Sequence, residues 1–387
     1  MSWVERQIGD FADVKHGFAF EGQYFADDGG LVLLTPGNCH ENGGFRDKGD
    51  KEKFYVGPVP EGYLLTEGDL LVVMTDLISR APVLGGAFFV PASDRYLHNQ
   101  RLGLVQVTRS EMIDRKFLYY LLNTHSYRGQ VRGSASGSTV RHTSPTRIKA
   151  CRVKIPSGVR EQSAIADILS AYDDLIENNR RRIALLEEAA RMLYREWFVH
   201  FRFPGHEHVK IADGIPDGWE RRTLGSVLNL QRGFDLPIGD RIPGGIPVYG
   251  STGIVGEHDT AKVNFPTLIT GRSGSLGTVC FVDDPCWPLN TSLWVTEFKA
   301  ASIYFAYFLL SEMNLAKLNG GASVPTLDRK VAHAANVVIP LPRLTSLFDE
   351  QVRVVFAQRK LLEQQNKKLA QARDLLLPRL MTGAIAA

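Results

Sequence analysis

The longest regular alternation of apolar and polar positions lies at residues 161–197. Apolar or semi-polar side chains fall at Ile165, Leu169, Tyr172, Ile176, Ile183, Leu186, Ala190, Leu193 and Trp197. With Asn179 admitted, the steps alternate four and three, which is a coiled-coil seam rather than the broader face of a globular helix. The spacing predicts one unbroken rod, roughly 55 Å long at 1.5 Å per residue. A second rod is predicted near the chain's end from Phe348, Val352, Val355, Leu362, Leu369, Leu376 and Leu380, with Arg359, Asn366 and Arg373 admitted. Neither rod can bury its stripe alone, so the two are expected to pack antiparallel. Asn179 would then face Asn366, Ile176 Leu369, Ile183 Leu362, Leu169 Leu376, Leu193 Val352 and Trp197 Phe348. The single polar layer, Asn179 with Asn366, would fix the register. The alternative is that each rod packs on its own globular neighbour.

Outside the rods the pattern changes to short apolar runs punctuated by Gly and Pro. Residues 69–75, 87–90 and 102–107 read as strands, 113–122 as a helix, and 129–143 as a Gly/Ser loop. A closing strand at 151–155 ends at Pro156. The same series returns as strands at 267–270, 279–282 and 293–298, a helix at 303–313, a loop at 318–326 and a strand at 335–339. Pro204 and Gly205 stop the first rod, and a connector containing Ile215, Pro216, Asp217, Gly218 and Trp219 opens the second series.

These two series are copies of one another. Residues 3–18 align without a gap on 219–234, matching Trp3 with Trp219, Arg6 with Arg222, Gly9 with Gly225, Gly17 with Gly233 and Phe18 with Phe234. Asn99 corresponds to Asn290, residues 117–122 to 305–310, residues 137–156 to 321–340, and Glu161-Gln162 to Glu350-Gln351. The offset is 216 at Trp3, 191 at Asn99 and 184 at Gly137, so most of the length difference lies between Phe20 and His98. A constant frame with a varying middle suggests one scaffold carrying two different reading surfaces. The fold class expected is α+β: two repeated mixed-sheet domains with short helices, separated by two long helices. Boundaries fall at 1–157, 158–203, 204–342 (with the connector) and 343–387.

Composition changes this picture only in places. The 44% hydrophobic content suffices for two cores, and a formal net charge of +3 neither demands nor excludes a polyanionic partner. The distribution is more telling, because residues 115–154 hold nine Lys or Arg and no Asp or Glu. Cys39, Cys151, Cys280 and Cys286 show no C-x-x-C spacing, which argues against a zinc knuckle or redox pair and for reduced thiols. The start carries Glu5, Arg6 and Asp10 where a signal peptide needs an apolar core, and no run approaches 18 apolar residues. A cytoplasmic protein is expected.

With these residues in view, the chain resembles the specificity subunit of type I restriction-modification systems. The marks are the opening at residues 219–224, the Gly-Phe turns at 17–18 and 233–234, and the Gly-rich loop before a strand ending in Pro. Further marks are the joints Ile155-Pro156 with Glu161-Gln162 and Ile339-Pro340 with Glu350-Gln351, and the terminal stretch Leu377-Pro378-Arg379-Leu380-Met381-Thr382-Gly383. The resemblance covers the whole chain. It implies two target recognition domains held apart by an antiparallel helix pair, each reading one half of a bipartite, asymmetric site on double-stranded DNA. It also implies docking of modification (methyltransferase) subunits, two of them, with a restriction subunit joining the core. No cofactor is expected in this chain: S-adenosylmethionine, ATP and Mg2+ would sit on the partners, and the chain itself would be non-catalytic. A rod of ~55 Å exceeds one DNA turn of ~34–36 Å, so it would serve to space two readers. The second copy departs from the first in being shorter and less basic.

Candidate contacts follow from chemistry. Phosphate contacts need a density of cations, and base readout needs side chains able to form paired hydrogen bonds. In the first copy Arg128, Arg132, Arg141, His142, Arg147 and Lys149 surround the Gly/Ser loop, against the alternative of a merely solvated basic face. In the second, Lys317, Arg329 and Lys330 flank the corresponding loop. Lys15 and Arg232 sit beside the Gly-Phe turns, and Arg80, Asn99, Arg101, Arg272 and Asn290 lie near other loops. Partner-docking candidates at the rod ends are Tyr194, Arg195, Trp197 and Phe198, with Leu376, Leu377, Arg379 and Met381, since aromatics and Arg suit protein interfaces. Residues 271–277 form either a turn or a phosphate cradle, and they lack the Gly-Lys-Ser/Thr of a nucleotide loop. Asp284, Glu297 and Lys299 imitate the acidic pair and lysine of metal-dependent nucleases. They keep a nuclease, or a stand-alone DNA-binding protein, as the alternative function.

Overall fold

In a computed structural model of the chain, residues 2–321 and 323–387 are described, and they form two compact units. One comprises Met1–Asn178 with Gln365–Ala387, the other Asn179–Gln364, so each unit takes part of both rods.

In the first unit the strand Trp3–Gln7 pairs antiparallel with Arg152–Pro156, bringing Trp3 opposite Pro156. A four-stranded antiparallel sheet follows the order Ala12–His16, Leu102–Val107, Leu70–Val73, Ala87–Phe89. Its central run is apolar at every position because both faces are covered. Leu70 and Val72 join the core built with Phe117, Leu118, Tyr127, Ile148 and the rod residues Ile165, Ala166 and Leu169. Leu71 and Val73 face the other way, onto Val32, Leu34, Phe88 and Tyr96. A smaller sheet pairs Phe25–Ala26, Phe54–Tyr55, Leu31–Leu33 and Tyr96–Leu97 in that order.

The second unit repeats the frame. Glu220–Thr223 pairs with Asn336–Ile339, and the main sheet runs Leu228–Arg232, Ser292–Phe298, Thr267–Gly271, Val279–Val282, the same order as in the first unit. Its smaller sheet differs, with Gly253–His258, Ile246–Gly250 and Trp287–Pro288. The fold is therefore α+β with an internal repeat.

The Gly-Phe turns have one cause in both copies. A Cβ on Gly17 would stand 2.0 Å from the Asn99 carbonyl oxygen, and one on Gly233 would stand 2.2 Å from that of Leu289. Only glycine allows the approach that closes the parallel bridges Phe18 to Asn99 and Phe234 to Leu289.

Four expectations need correction. The first rod is α-helical over Val159–Tyr194 and then continues as a π turn, Arg195–Val199. The extra residue in that turn lets Trp197 and Phe198, adjacent in sequence, both reach the core. The Gly/Ser loop starts later than residue 129, because His125–Ser134 is a helix capped by Thr124, whose hydroxyl accepts from Tyr127 N. Tyr127 and Val131 drive it into the core, and Gly129 and Gly133 fall on its open side. The rod-head motif is not equivalent in the two copies. Gln162 is fully buried, with Nε2 donating to Pro156 O and Met112 O and Oε1 accepting from Asp114 N at the start of a helix. Gln351 is exposed, and Asp349 takes the corresponding role by accepting from Ser302 Oγ at 2.7 Å. Finally, the two packings considered for the rods are not exclusive.

Within the first unit Arg373 pairs with Asp173, while Ile165 and Leu169 share a core with Leu380 and Met381 and also with the sheet and its helices. Within the second, the Trp197 and Phe348 rings lie 6.2 Å apart, Arg359 meets Glu187 at 3.2 Å, and both rods feed the core around Phe305. In each unit the order of these contacts is antiparallel. Asn179, buried, and Asn366, half-buried, belong to different units. The second rod is helical over Pro342–Met381.

Candidate nucleic-acid interface

Asp76 organises the basic end of the first copy. It is 2% exposed; Oδ1 accepts from Ile78 N at 3.0 Å and Oδ2 from Val83 N at 2.8 Å, pinning a turn at both ends. Its strand, Thr75–Asp76, pairs antiparallel with Arg141–His142, and Thr75 Oγ1 lies 3.1 Å from His142 Nδ1. On the far side Ser136 and His142 exchange both backbone hydrogen bonds. The loop between them closes at Gly137 (φ +88°), where a Cβ would lie 2.0 Å from Val140 O. Arg141 Nη2 donates to Arg132 O at 2.8 Å and Arg147 Nη1 to Ser136 Oγ at 3.2 Å. The fold thus brings Arg132, Arg141, His142 and Arg147 to one loop, beside the turn that carries Arg80.

The second copy builds the same junction from other residues. Leu327 N donates to Arg272 O, as Thr143 N donates to Met74 O in the first copy. Asn319 Oδ1 accepts from Gly321 N and Thr326 N, and a Cβ on Gly321 would lie 2.0 Å from Val324 O. Lys317, Arg329 and Lys330 are exposed around it, the last two opening the short helix that Asp328 caps. The amides of Arg272, Ser273 and Gly274 donate to Thr291 O and Pro325 O, so the first part of the 271–277 stretch is a turn whose amide donors are spent within the fold.

Other candidates take structural places. Arg128 is 6% exposed and donates to the carbonyls of Leu84, Glu41 and Pro82, while burial holds its pKa below the ordinary guanidinium value. It is removed from the DNA-facing set because its forks are spent inside the fold. Lys149 pairs with Asp13 at 2.8 Å, and that contact lowers the Asp13 pKa. Lys15 donates to Gly62 O at 2.7 Å and lies over the Tyr63 ring. Asn99 is buried and accepts from Arg101 N, leaving the half-buried Arg101 at the rim of the turn. Asn290 donates to Asp235, Arg232 reaches the same carboxylate at 3.8 Å, and Arg272 donates to Asn290 O. Arg80 pairs with Glu41 at 3.0 Å with both side chains largely exposed, so the pair opens at little cost.

The rod-end candidates also need correction. Tyr194, Trp197, Phe198 and Met381 are buried in the cores of their own units, where aromatic packing consumes them. Leu376 and Leu377 are half-buried against the first core, Arg195 pairs with Glu312, and Arg379 is exposed. The large apolar residues that remain open on the rods are Leu175, Leu185, Met192, Val199, Val354, Leu361 and Leu375. Their signal in the sequence is that they fall off the four-three seam. Of the nuclease-like trio, Asp284 pairs with Lys360 and Lys299 donates to Gly225 O. Among the described residues no cluster of three or more His, Cys, Asp or Glu is placed to hold a metal ion, and no helix is long and apolar enough to cross a membrane.

Residues 1–188 match the family model of the type I restriction modification DNA specificity domain. A type I restriction enzyme specificity subunit of Methanocaldococcus jannaschii is 25% identical over 339 residues, spanning 80% of this chain and 77% of the relative. A putative type I specificity subunit of Mycoplasma genitalium is 26% identical over 403 residues, spanning 98% and 94%. The crystal structure of a type I restriction-modification S subunit from M. genitalium shares the fold, with a TM-score of 0.55 at 20% identity, covering 98% of this chain and 96% of that one. In its duplicated frame, and along nearly its whole length, the chain is similar to the specificity subunits of type I restriction-modification systems.

Proposed function

We propose that this chain selects the DNA sequence on which a type I restriction-modification complex acts, each copy reading one half of a bipartite, asymmetric site. One observation carries the reading. The same junction of two loops recurs in both copies with different side chains on it, Arg80, Arg141, His142 and Arg147 in one, Arg272, Lys317, Arg329 and Lys330 in the other. Two identical readers would select a palindrome, and two different ones select an asymmetric site. Arg is suited to guanine edges and to phosphate, so both positioning and readout are available there.

The exposed apolar residues of the rods supply the surface on which modification subunits, two of them, dock, with a restriction subunit joining that assembly. Residues 1–157 and 204–342 serve as the target recognition domains, and 158–203 and 343–387 as the rods. Methyl transfer from S-adenosylmethionine and ATP- and Mg2+-dependent translocation and cleavage belong to the partners, in the cytoplasm, and this chain does no chemistry itself. The test is co-expression with the cognate modification subunit, followed by methylation mapping of the host genome. Methylation at one bipartite motif that requires this chain supports the reading, and exchange of residues 1–157 then changes one half only. No complex and no chain-dependent methylation would reject it.

A further inference from the structure

The turn pinned by Asp76 presents Leu77 and Ile78, each 55% exposed, at a tip that belongs to no core. Two adjacent large aliphatic side chains in water are unfavourable, and a loop with no role beyond connection is ordinarily polar. The tip is also rigid, because Asp76 holds the Ile78 and Val83 amides. It leaves the paired strands beside Arg141, with His142 and Arg147 on the facing loop and Arg80 following it. Glu41, which pairs with Arg80, is the acid at its edge. At the matching place the second copy has Ser275 and Leu276, the latter packed against its own core, so an exposed apolar pair at the tip is not needed to build the frame.

A rigid aliphatic tip flanked by Arg and His matches a groove of DNA, where phosphates meet the cations and base edges meet the tip. The apolar feature on a base edge in the major groove is the thymine 5-methyl group. We propose that Leu77 and Ile78 are specificity residues that contact thymine methyl groups in the half-site read by the first copy. This rests on the proposed reading of bipartite DNA.

The experiment uses the complex with modification subunits. Methylation mapping first defines the motif, and duplexes are then made with deoxyuridine replacing each thymine of the first copy's half. Loss of one methyl contact is expected to weaken binding by the wild-type complex roughly fivefold at one or two positions. The L77S/I78S variant should bind the thymine duplex as weakly as the wild type binds the uracil one, and should no longer distinguish them. I78V keeps an apolar contact and should retain discrimination, which separates lost readout from lost folding. The proposal is overturned if wild type does not distinguish uracil from thymine, if L77S/I78S still does, or if that half contains no thymine beyond the partner of the methylated base. Absence of any chain-dependent motif in the wild-type complex would instead overturn the functional reading itself.

Discussion

Arg373 of the second rod donates through Nη1 to Asp173 Oδ1 on the first, and the Tyr120 hydroxyl donates to the other oxygen of that carboxylate at 2.6 Å. One half-buried carboxylate therefore ties both rods to the sheet-covering helix of the first unit. Burial and the Asp173 charge beside it hold the Tyr120 phenol far above its ordinary pKa, so it remains a donor throughout the accessible range. Asp173→Ala leaves the Tyr120 phenol without its acceptor and the Arg373 guanidinium with only Asp374, and should lower stability by about 1–3 kcal/mol. Urea unfolding of Asp173→Ala, Tyr120→Phe and the double variant should show non-additivity; strictly additive losses would mean that these two groups do not act together.

The Gly17 and Gly233 turns give a paired prediction. Alanine at either position puts a methyl group about 2 Å from a backbone carbonyl, which forces the parallel bridge apart. Each substitution should cost about 2–4 kcal/mol. The readout is limited proteolysis, with Gly17→Ala exposing sites in residues 1–157 and Gly233→Ala exposing sites in 204–342. The same cleavage pattern from both would show that the turns do not serve their own copies.

Legibility in the sequence differs by element. The rods were legible, because strands and loops do not sustain a four-three alternation over many turns, and the duplicated frame was, because Gly17 and Gly233 tolerate no substitute. The helix His125–Ser134 was not. Its two glycines imitate a loop, and only the burial of Tyr127 and Val131 decides for helix. The shift from Gln162 to Asp349 was also hidden, since identical Glu-Gln pairs suggested an equivalence that the helix cap does not respect. For the proposed interface, density of charge marked a stretch of chain but could not separate the buried Arg128 from the half-buried Arg141. That distinction depends on carbonyls supplied by residues 41, 82 and 84, far away in sequence.

Arg128 and the pair Arg141 and Arg147 should therefore fail in different ways. Arg128→Ala abandons three carbonyls, one buried and two part-buried, and should cost about 2–4 kcal/mol of stability. Arg141→Ala and Arg147→Ala should leave the melting temperature nearly unchanged and weaken DNA binding. If each removes one phosphate contact, the slope of log affinity against log salt falls by about one per substitution. Fluorescence anisotropy at several salt concentrations checks this, and an unchanged slope for both would move the phosphate track elsewhere on the first copy.

His98 makes the first copy sensitive to acid. It is fully buried, and its Nε2 lies 2.9 Å from Leu102 O; a carbonyl can only accept, so Nε2 carries a proton. Burial is the main cause that pushes its pKa down to about 4, with Lys15 and His16 acting the same way and the Leu102 and Asp69 contacts opposing. Between that value and the unfolded value near 6.5 the unfolded chain binds a proton that the folded chain does not, so stability rises with pH across this window. Above about pH 6.5 the neutral ring has no effect on the slope. On acidification toward pH 4 the loss should reach about 3 kcal/mol. His98→Gln retains a donor for Leu102 O but cannot titrate. Its unfolding free energy should therefore be flatter than wild type between about pH 4 and 6.5 and parallel to it above; equal slopes in the acidic window would show that His98 is not the group responsible.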